Sequence, residues 1–304
     1  MATPPRLAWL LVFSGLLLSC AQRPAGPDDD DTADDDDTAD DDDSSADDDD
    51  SSIDDDDTAP DDDDTAPDDD DSAPSPPSTT LVTIDDSSHQ VVVIDETTGA
   101  GTAVVSLQST VTMCSTIFTR GGALYTSGQG SLWQLDPCTG EALEIASYSP
   151  EVSPGHPPSL CGLATRNLND LYGISLEEDT LVQVNTNTAA LSVVGETGVD
   201  FGTVGLTWDR PNDRFLAING ADDNLYSIDV TSGLATLLVA LDYDFATVGI
   251  ELDPISGELF ACTGADLVRV DISTGQVTVL GPIWDDPTCD DLGATWVDVP
   301  CLQP

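Results

Sequence analysis

One short phrase recurs five times along the chain and limits its fold more than any other feature. Each copy alternates apolar and polar residues, ends in Asp or Asn, and then turns, usually at Gly. The copies read NLYSIDVTSG (224–233), DLVRVDISTG (266–275), SLWQLDPCTG (131–140), HQVVVIDETTG (89–99) and, less regularly, TLVQVNTNTAA (180–190). Alignment of the turn residues gives spacings of 41, 49, 44 and 42 residues. Regular spacing of this kind predicts a repeat architecture of five units.

Each unit contains further strand-like segments around the repeated phrase. Before it come a second run, as in FLAIN (215–219), and a third, as in VGLTWD (204–209); a fourth follows, as in LATLLVAL (234–241). β-branched residues dominate these runs, and no window shows a sustained 3.6-residue period, so helices are not expected. Four short strands repeated at this spacing are typical of a β-propeller. We therefore predict an all-β fold, a five-bladed β-propeller over residues 78–304.

The C-terminus is predicted to close the ring. The first unit lacks an innermost strand, but LGATWVDVP (292–300) is similar to VGLTWDRP (204–211). A C-terminal strand that completed the first blade would hide two sheet edges that otherwise invite aggregation. Through repeats such as LYSIDVTSG (225–233), the region resembles bacterial extracellular propellers of the YVTN, NHL and quinoprotein-like type. That resemblance implies the fold and leaves the activity open.

The composition is strongly acidic and uneven along the chain. There are 59 Asp and Glu against seven Arg and no Lys, for a formal net charge of −52. Seven Asp quartets within residues 28–71 carry 28 of the acids. Nucleic acid is excluded as an expected partner, because its phosphates would be repelled. Residues 20–77 are predicted to be a disordered acidic linker, since the quartets repel one another and bury nothing apolar. Calcium could bind there, but no Asp-x-Asp-x-Asp-Gly loop is present, so diffuse counterion binding is expected.

The N-terminus reads as a sorting signal. The apolar run at 7–18 is shorter than the 20 or so residues that a membrane-spanning helix needs. LLSC (17–20) resembles the lipobox of bacterial lipoproteins, which implies that residues 1–19 are removed and that Cys20 becomes lipidated. Lipid chains on Cys20 would anchor the protein to the membrane. An Ala directly after this Cys, here Ala21, resembles the pattern of lipoproteins that are passed on to the outer membrane. We expect a protein of the bacterial cell envelope that is exposed at the outer-membrane surface. The alternative is an ordinary secretory signal.

Six cysteines remain once Cys20 is set aside, and they predict disulfides. An even number in an exported domain favours disulfide bonds, whereas a zinc site is disfavoured because no CxxC pair is present. Cys114 and Cys161 occupy equivalent positions in neighbouring units and are predicted to pair. Two further pairs are expected, Cys289 with Cys301 and, by elimination, Cys138 with Cys262.

Enzyme motifs are scarce. The chain has no GxSxG elbow, HExxH helix, Walker loop or GxGxxG after a strand. Glu251 is the only acid in the middle of an inner-strand segment, and we assign no catalytic residue. The alternative is a carbohydrate-active hydrolase or lyase that uses carboxylates in the propeller channel.

Candidate binding residues lie in the loops that enter the inner strands. Acids stand beside aromatic residues there, a combination that would suit a glycan or a peptide ligand. These candidates are Asp200, Phe201, Asp244, Phe245, Trp284 and Asp285. Phe201 and Phe245 could instead fill the core between blades. Asp222 and Asp223, in NGADDN (219–224), are candidate ligands for Ca²⁺, the one cofactor considered.

These patterns together predict a lipid-anchored binding or scaffolding module. Its expected partners are the membrane, through the anchor, and a glycan or protein ligand, and a monomer is expected. The alternatives are the hydrolase or lyase and a structural protein of the envelope.

Overall fold

A computed structural model describes residues 79–110, 112–152, 154–284 and 289–303. The signal-like segment, Cys20 and the acidic linker lie outside these residues, as does Asp285. The described chain forms twenty β-strands and two single-turn 3-10 helices, Arg210–Asn212 and Pro300–Leu302. Within it, no helix has the length and apolar character needed to cross a bilayer.

The strands form five antiparallel sheets of four strands each, which we number as blades in chain order. Blade 1 contains β1 (Leu81–Asp85), β2 (Gln90–Ile94), β3 (Gly101–Ser106) and the C-terminal β20 (Gly293–Ala294). Blade 2 contains β4 (Ser115–Phe118), β5 (Leu124–Gly128), β6 (Ser131–Leu135) and β7 (Ala142–Ser147). Blade 3 contains β8 (Leu160–Arg166), β9 (Asp170–Ser175), β10 (Thr180–Val184) and β11 (Leu191–Glu196). Blade 4 contains β12 (Val204–Asp209), β13 (Arg214–Asn219), β14 (Asn224–Asp229) and β15 (Ala235–Ala240). Blade 5 contains β16 (Gly249–Leu252), β17 (Leu259–Thr263), β18 (Asp266–Val270) and β19 (Val277–Pro282).

The blades are arranged in a ring, which confirms the predicted five-bladed β-propeller. The inner strands β4, β8, β12, β16 and β20 contact one another in sequence around the ring, and β20 contacts both β16 and β4. Five apolar clusters fill the molecule, each between two adjacent blades. Because burial of apolar area is the main favourable term in folding, each blade depends on both of its neighbours.

The C-terminal strand completes blade 1, as predicted. Leu81 pairs with Ala294 and Val82 with Gly293. The Thr295 N–H continues the pairing by donating to the Thr80 carbonyl at 3.0 Å. The strand itself is shorter than the predicted segment 292–300.

The Asp of the repeated phrase builds a tight turn after the third strand. In blade 4, Oδ1 of Asp229 accepts the backbone N–H groups of Thr231 at 3.0 Å and Ser232 at 2.8 Å. The same pair of bonds occurs at the other four copies, at Asp95, Asp136, Asn185 and Asp271. Such local bonds favour turns over continued strands, which explains why Asp or Asn ends each phrase.

The Gly of the phrase joins one blade to the next. Gly140 has φ of 74°, and a Cβ built on it would lie 2.1 Å from the carbonyl oxygen of Ser106 in the preceding blade. Gly275 approaches the Ala240 carbonyl in the same way, also at 2.1 Å. Ala189 takes this place in blade 3 with φ of 54°. The repeat therefore encodes both the blade and its contact with a neighbour.

The structure contains three disulfides, but two of the predicted pairings were wrong. Cys114 is joined to Cys161 between the inner regions of blades 2 and 3, as predicted. The remaining four cysteines pair as Cys138–Cys301 and Cys262–Cys289, not as Cys289–Cys301 and Cys138–Cys262. The tail beyond β20 continues towards blade 2 and packs in the cluster between blades 1 and 2, so Cys301 meets the turn that carries Cys138.

Candidate functional site

The two phenylalanines predicted to contact a ligand are buried between blades. Phe201 is 2% exposed and Phe245 is fully buried, and each ring contacts a tyrosine edge-on. Their backbone N–H groups donate to Asp179 Oδ1 at 3.1 Å and to Asp223 Oδ1 at 2.8 Å. This burial favours the alternative interpretation, in which the rings fill the core. The neighbouring Asp200 and Asp244 are exposed.

The other candidates on these loops also have structural contacts. Asp222 Oδ2 accepts the Tyr226 hydroxyl at 2.6 Å, and the backbone oxygen of Asp223 accepts the Leu241 N–H at 2.9 Å. Trp284 is partly buried against the cluster between blades 5 and 1. In the part of the chain that the structure describes, no three His, Cys, Asp or Glu side chains are arranged to hold a metal ion. Binding of Ca²⁺ by Asp222 and Asp223 remains a prediction.

A different group of side chains lies at one end of the propeller channel. We call this group the Trp–Arg cluster. It comprises Arg120, Trp208 and Trp296. The Arg120 guanidinium carbon lies 4.6 Å from the centre of the Trp208 ring and 4.3 Å from that of Trp296. A guanidinium stacked between two indoles is stabilised by cation–π attraction to each ring.

Three blades bring these side chains together. Trp208 lies near the end of β12, Trp296 follows β20, and Arg120 follows β4 in the loop to the second strand. All three positions are at the same end of their inner strands, and that end lies on the side of the ring opposite to the loops considered above. Trp208 and Trp296 belong to the two segments whose similarity predicted the closing strand.

The cluster has hydrogen-bond donors that lack acceptors. Nε and Nη2 of Arg120 and the Nε1 atoms of Trp208 and Trp296 are all buried and have no partner among the described residues. Such groups are uncommon because a buried unpaired donor costs about 1–3 kcal/mol. Burial lowers the pKa of Arg120, and the nearby charge of Arg210 lowers it further.

The neighbouring arginines show how unusual Arg120 is. Arg166 pairs with Asp213, Arg214 with Asp209 and Arg269 with Glu258. With the described carboxylates, neither Arg120 nor Arg210 forms an ion pair. Two unpaired cations therefore lie at one end of the channel of a chain whose net charge is −52.

A cavity of about 650 Å³ opens beside the Trp–Arg cluster. Trp208, Arg210, Leu252, Asp253, Ile255 and Trp296 are among the residues that line it. The Asp209 carboxylate accepts bonds from Arg214 Nε at 2.7 Å and from Asn212, which fixes the loop below Trp208. Volumes of 300–1,000 Å³ with apolar walls and a few polar groups are typical of ligand sites.

Three carboxylates converge at the opposite end of the channel. Asp86, Asp290 and Asp291 lie close enough to repel one another. Burial raises the pKa of Asp86 to about 7, with further increases from the charges of Asp291 and Asp85, although two bonds from the Met113 N–H oppose the shift. Burial, followed by the charge of Asp291, also raises the pKa of Asp290. Asp291 is buried, and its Oδ1 accepts the Thr83 hydroxyl at 2.5 Å and the Ile84 N–H at 3.0 Å. These bonds tie the segment before β20 to blade 1.

Glu251 is buried within β16, and this burial raises its pKa well above the usual value. The Thr207 hydroxyl of β12 donates to it at 3.4 Å. Burial therefore favours the neutral form of this side chain, which lies in the wall of inner strands.

No sequence pattern predicted the side chains that meet at the two channel ends. Arg120, Trp208 and Trp296 are far apart in the chain, and each looks ordinary in its own segment. One signal was available: both similar inner segments, VGLTWD (204–209) and LGATWVDVP (292–300), place Trp after Thr. Equivalent positions in a ring bring such residues to the same end of the channel.

Comparisons with known proteins add no family. No family model matches the chain, and no curated protein sequence does. Solved structures that it resembles include a protein of unknown function from Bacteroides thetaiotaomicron, with 15% identity, 66% of this chain and 54% of that chain covered, and a TM-score of 0.48. Others are a nidogen–laminin complex (11% identity, 72% and 98% covered, TM-score 0.49) and TolB from Acinetobacter baumannii (13%, 68% and 53%, TM-score 0.43). This chain thus spans about half the length of the Bacteroides and Acinetobacter chains. The assignment of the fold rests on the strand topology described above.

Proposed function

We propose that this protein is a binding module of the bacterial cell envelope, anchored through a lipid on Cys20 and held away from the membrane by its acidic linker. The observation that supports binding is the cavity of about 650 Å³ beside the Trp–Arg cluster. The three disulfides suit an exported, oxidising location. Lipidation of Cys20 and display at the outer-membrane surface are inferred from LLSC (17–20) alone.

The chemistry of the cavity suits a peptide segment or a sugar. The indoles of Trp208 and Trp296 offer apolar faces, and Leu252 and Ile255 extend the apolar wall. Arg210 also lines the cavity, and its guanidinium would fix the orientation of a polar ligand. Aromatic rings combined with a few convergent polar groups are the usual composition of such sites.

The hydrolase or lyase alternative would use the aspartates at the other channel end. A glycosidase pair requires one carboxyl group that is protonated and another that is ionised. Asp86, Asp290 and Asp291 all have raised pKa values, with burial as the largest cause in each. Burial therefore disfavours the ionised form of all three side chains, which favours binding over catalysis.

The proposal is tested with the full-length chain and three variants. Wild type should capture a ligand from glycan arrays or envelope extracts, and Trp208→Ala should weaken capture at least tenfold. Trp133→Ala, which alters a partly buried tryptophan of blade 2, controls for general loss of stability. Cys20→Ser should retain capture but leave the membrane fraction. Equal capture by the Trp208 and Trp133 variants would contradict the proposed site, and unchanged membrane partitioning of Cys20→Ser would contradict the anchor.

A further inference from the structure

The Trp–Arg cluster contains four buried nitrogen atoms that have no acceptor among the described residues, and the nearby carboxylates bond to other groups. Asp209 is occupied by Arg214 and Asn212. Asp253 accepts the Thr79 hydroxyl and the backbone N–H groups of Ile255 and Ser256. A cluster that is rich in donors and short of acceptors is suited to a ligand that brings acceptors with it.

The charge of the cluster defines the kind of acceptor. Arg120 and Arg210 form no ion pair with the described residues. Burial is the larger cause of the lowered pKa of Arg120, and the charge of the nearby Arg210 lowers that pKa further. An anion would relieve this repulsion and accept charge-assisted bonds, which are about twice as strong as neutral ones. A guanidinium fork matches the two oxygens of a carboxylate.

We propose that the Trp–Arg cluster is a carboxylate-binding site, and that the aspartate quartet 68–71 of the same chain occupies it until another ligand displaces the quartet. This inference rests on the proposed function, because it assigns the ligand chemistry and the regulation of that same cavity. The alternative source of the same chemistry is an acidic peptide from a partner.

The point at which the chain enters the propeller favours its own quartet. The Thr79 hydroxyl donates to Asp253, which lines the same cavity as Trp208 and Trp296. The eight residue steps from Asp71 to Thr79 can span up to about 26 Å. A tether of this length maintains an effective concentration in the millimolar range. A separate acidic ligand would first have to approach a chain with a net charge of −52, which repels it.

The experiment uses NMR of the full-length protein labelled with ¹⁵N. The quartet variant replaces Asp68, Asp69, Asp70 and Asp71 with Asn. Its control replaces Asp28, Asp29, Asp30 and Asp31 with Asn, which removes the same four charges far along the linker. Only the quartet variant should shift the indole N–H signals of Trp208 and Trp296 and the Nε–H signal of Arg120, while the indole signal of Trp133 stays in place.

A second arm adds the peptide acetyl-Asp-Asp-Asp-Asp-amide. It should bind the quartet variant at least tenfold more tightly than wild type, and Arg120→Gln in the quartet variant should abolish binding. Arg120→Lys keeps the charge and should bind the peptide only weakly. This variant still tests the role of Arg120 if the Gln variant fails to fold. Equal spectra and peptide affinities for the quartet variant and its control would overturn the intramolecular occupant. Failure of the peptide to shift Trp208, Trp296 or Arg120 in any variant would overturn the carboxylate site. Ligand capture that still depended on Trp208 would in that case leave the proposed function standing.

Discussion

At the scale of single residues, the glycines that end the repeated phrase connect the blades. Gly140 is held in the left-handed region, and its α-carbon faces the Ser106 carbonyl of blade 1. A side chain at such a position is unfavourable for two separate reasons, the backbone conformation and the close contact. The left-handed region alone costs roughly 1–2 kcal/mol for a residue with a Cβ.

Gly140→Ala and Gly257→Ala separate these two costs. Gly257 has φ of 71° in an equivalent Asp turn, but nothing lies within 4 Å of an added Cβ. Gly257→Ala should therefore lower the free energy of unfolding by about 1–2 kcal/mol, and Gly140→Ala by clearly more, because blades 1 and 2 must separate. Chemical denaturation measures both. Equal losses would mean that the contact with Ser106 relaxes without cost.

These turns were predictable from the sequence, but the full role of each residue in them was not. The five Asp or Asn positions and the Gly positions were visible as a pattern, because local bonds and φ angles are encoded locally. The sequence did not decide whether Phe201 and Phe245 are buried. A Phe beside an acid in a loop gives the same sequence pattern whether its ring points outwards or packs between blades. The Trp–Arg cluster was invisible, because its members are brought together only by closure of the ring.

At the scale of elements, the closing strand was predictable, but the disulfide that holds the tail after it was not. The similarity of 292–300 to 204–211 placed β20 in blade 1. The direction that the tail takes after β20 depends on packing between blades 1 and 2, and it decides that Cys301 meets Cys138. Their α-carbons are 5.4 Å apart across a sequence separation of 163 residues.

The Cys138–Cys301 bond should be a main stabiliser of ring closure. Replacement of both residues with Ala should lower the free energy of unfolding by about 2–4 kcal/mol, since the bond closes a long loop. Calorimetry of the variant and wild type, each under non-reducing conditions, tests this. Peptide mapping without reduction should recover Cys138 with Cys301 and Cys262 with Cys289. Recovery of Cys289 joined to Cys301 would contradict the assigned bonds.

At the scale of the whole molecule, two sets of described acids have pKa values that are shifted in opposite directions. Turn aspartates such as Asp95 and Asp229 accept local hydrogen bonds, which lower their pKa values to about 2. Burial raises the pKa values of Asp86 and Glu96 to about 7, and burial likewise raises those of Asp290, Asp291 and Glu251. Composition predicts the excess of acid, but only the fold decides which carboxyl groups are buried.

The buried carboxyl groups should make the propeller lose stability as the pH rises from 5 to 8. A carboxyl group whose pKa is higher in the folded state than in the unfolded chain holds its proton longer when folded. The stability that this gives is complete below about pH 4 and is lost as pH rises through about 7, where Asp86 and Glu96 ionise. The turn aspartates act in the opposite sense only below about pH 4, because the stability they give is lost as pH falls towards 2.

Melting temperatures at constant ionic strength between pH 5 and pH 8 measure this dependence. Asp86→Asn should flatten the decline, because the Asn amide carries no charge to bury and its oxygen can still accept the Met113 N–H. Asp200→Asn removes the same charge from an exposed loop position and should leave the slope of the wild type. A melting temperature that stayed level or rose between pH 5 and 8 would show that the buried carboxyl groups ionise without cost. In that case water or counterions would have to reach the aspartates at the channel end.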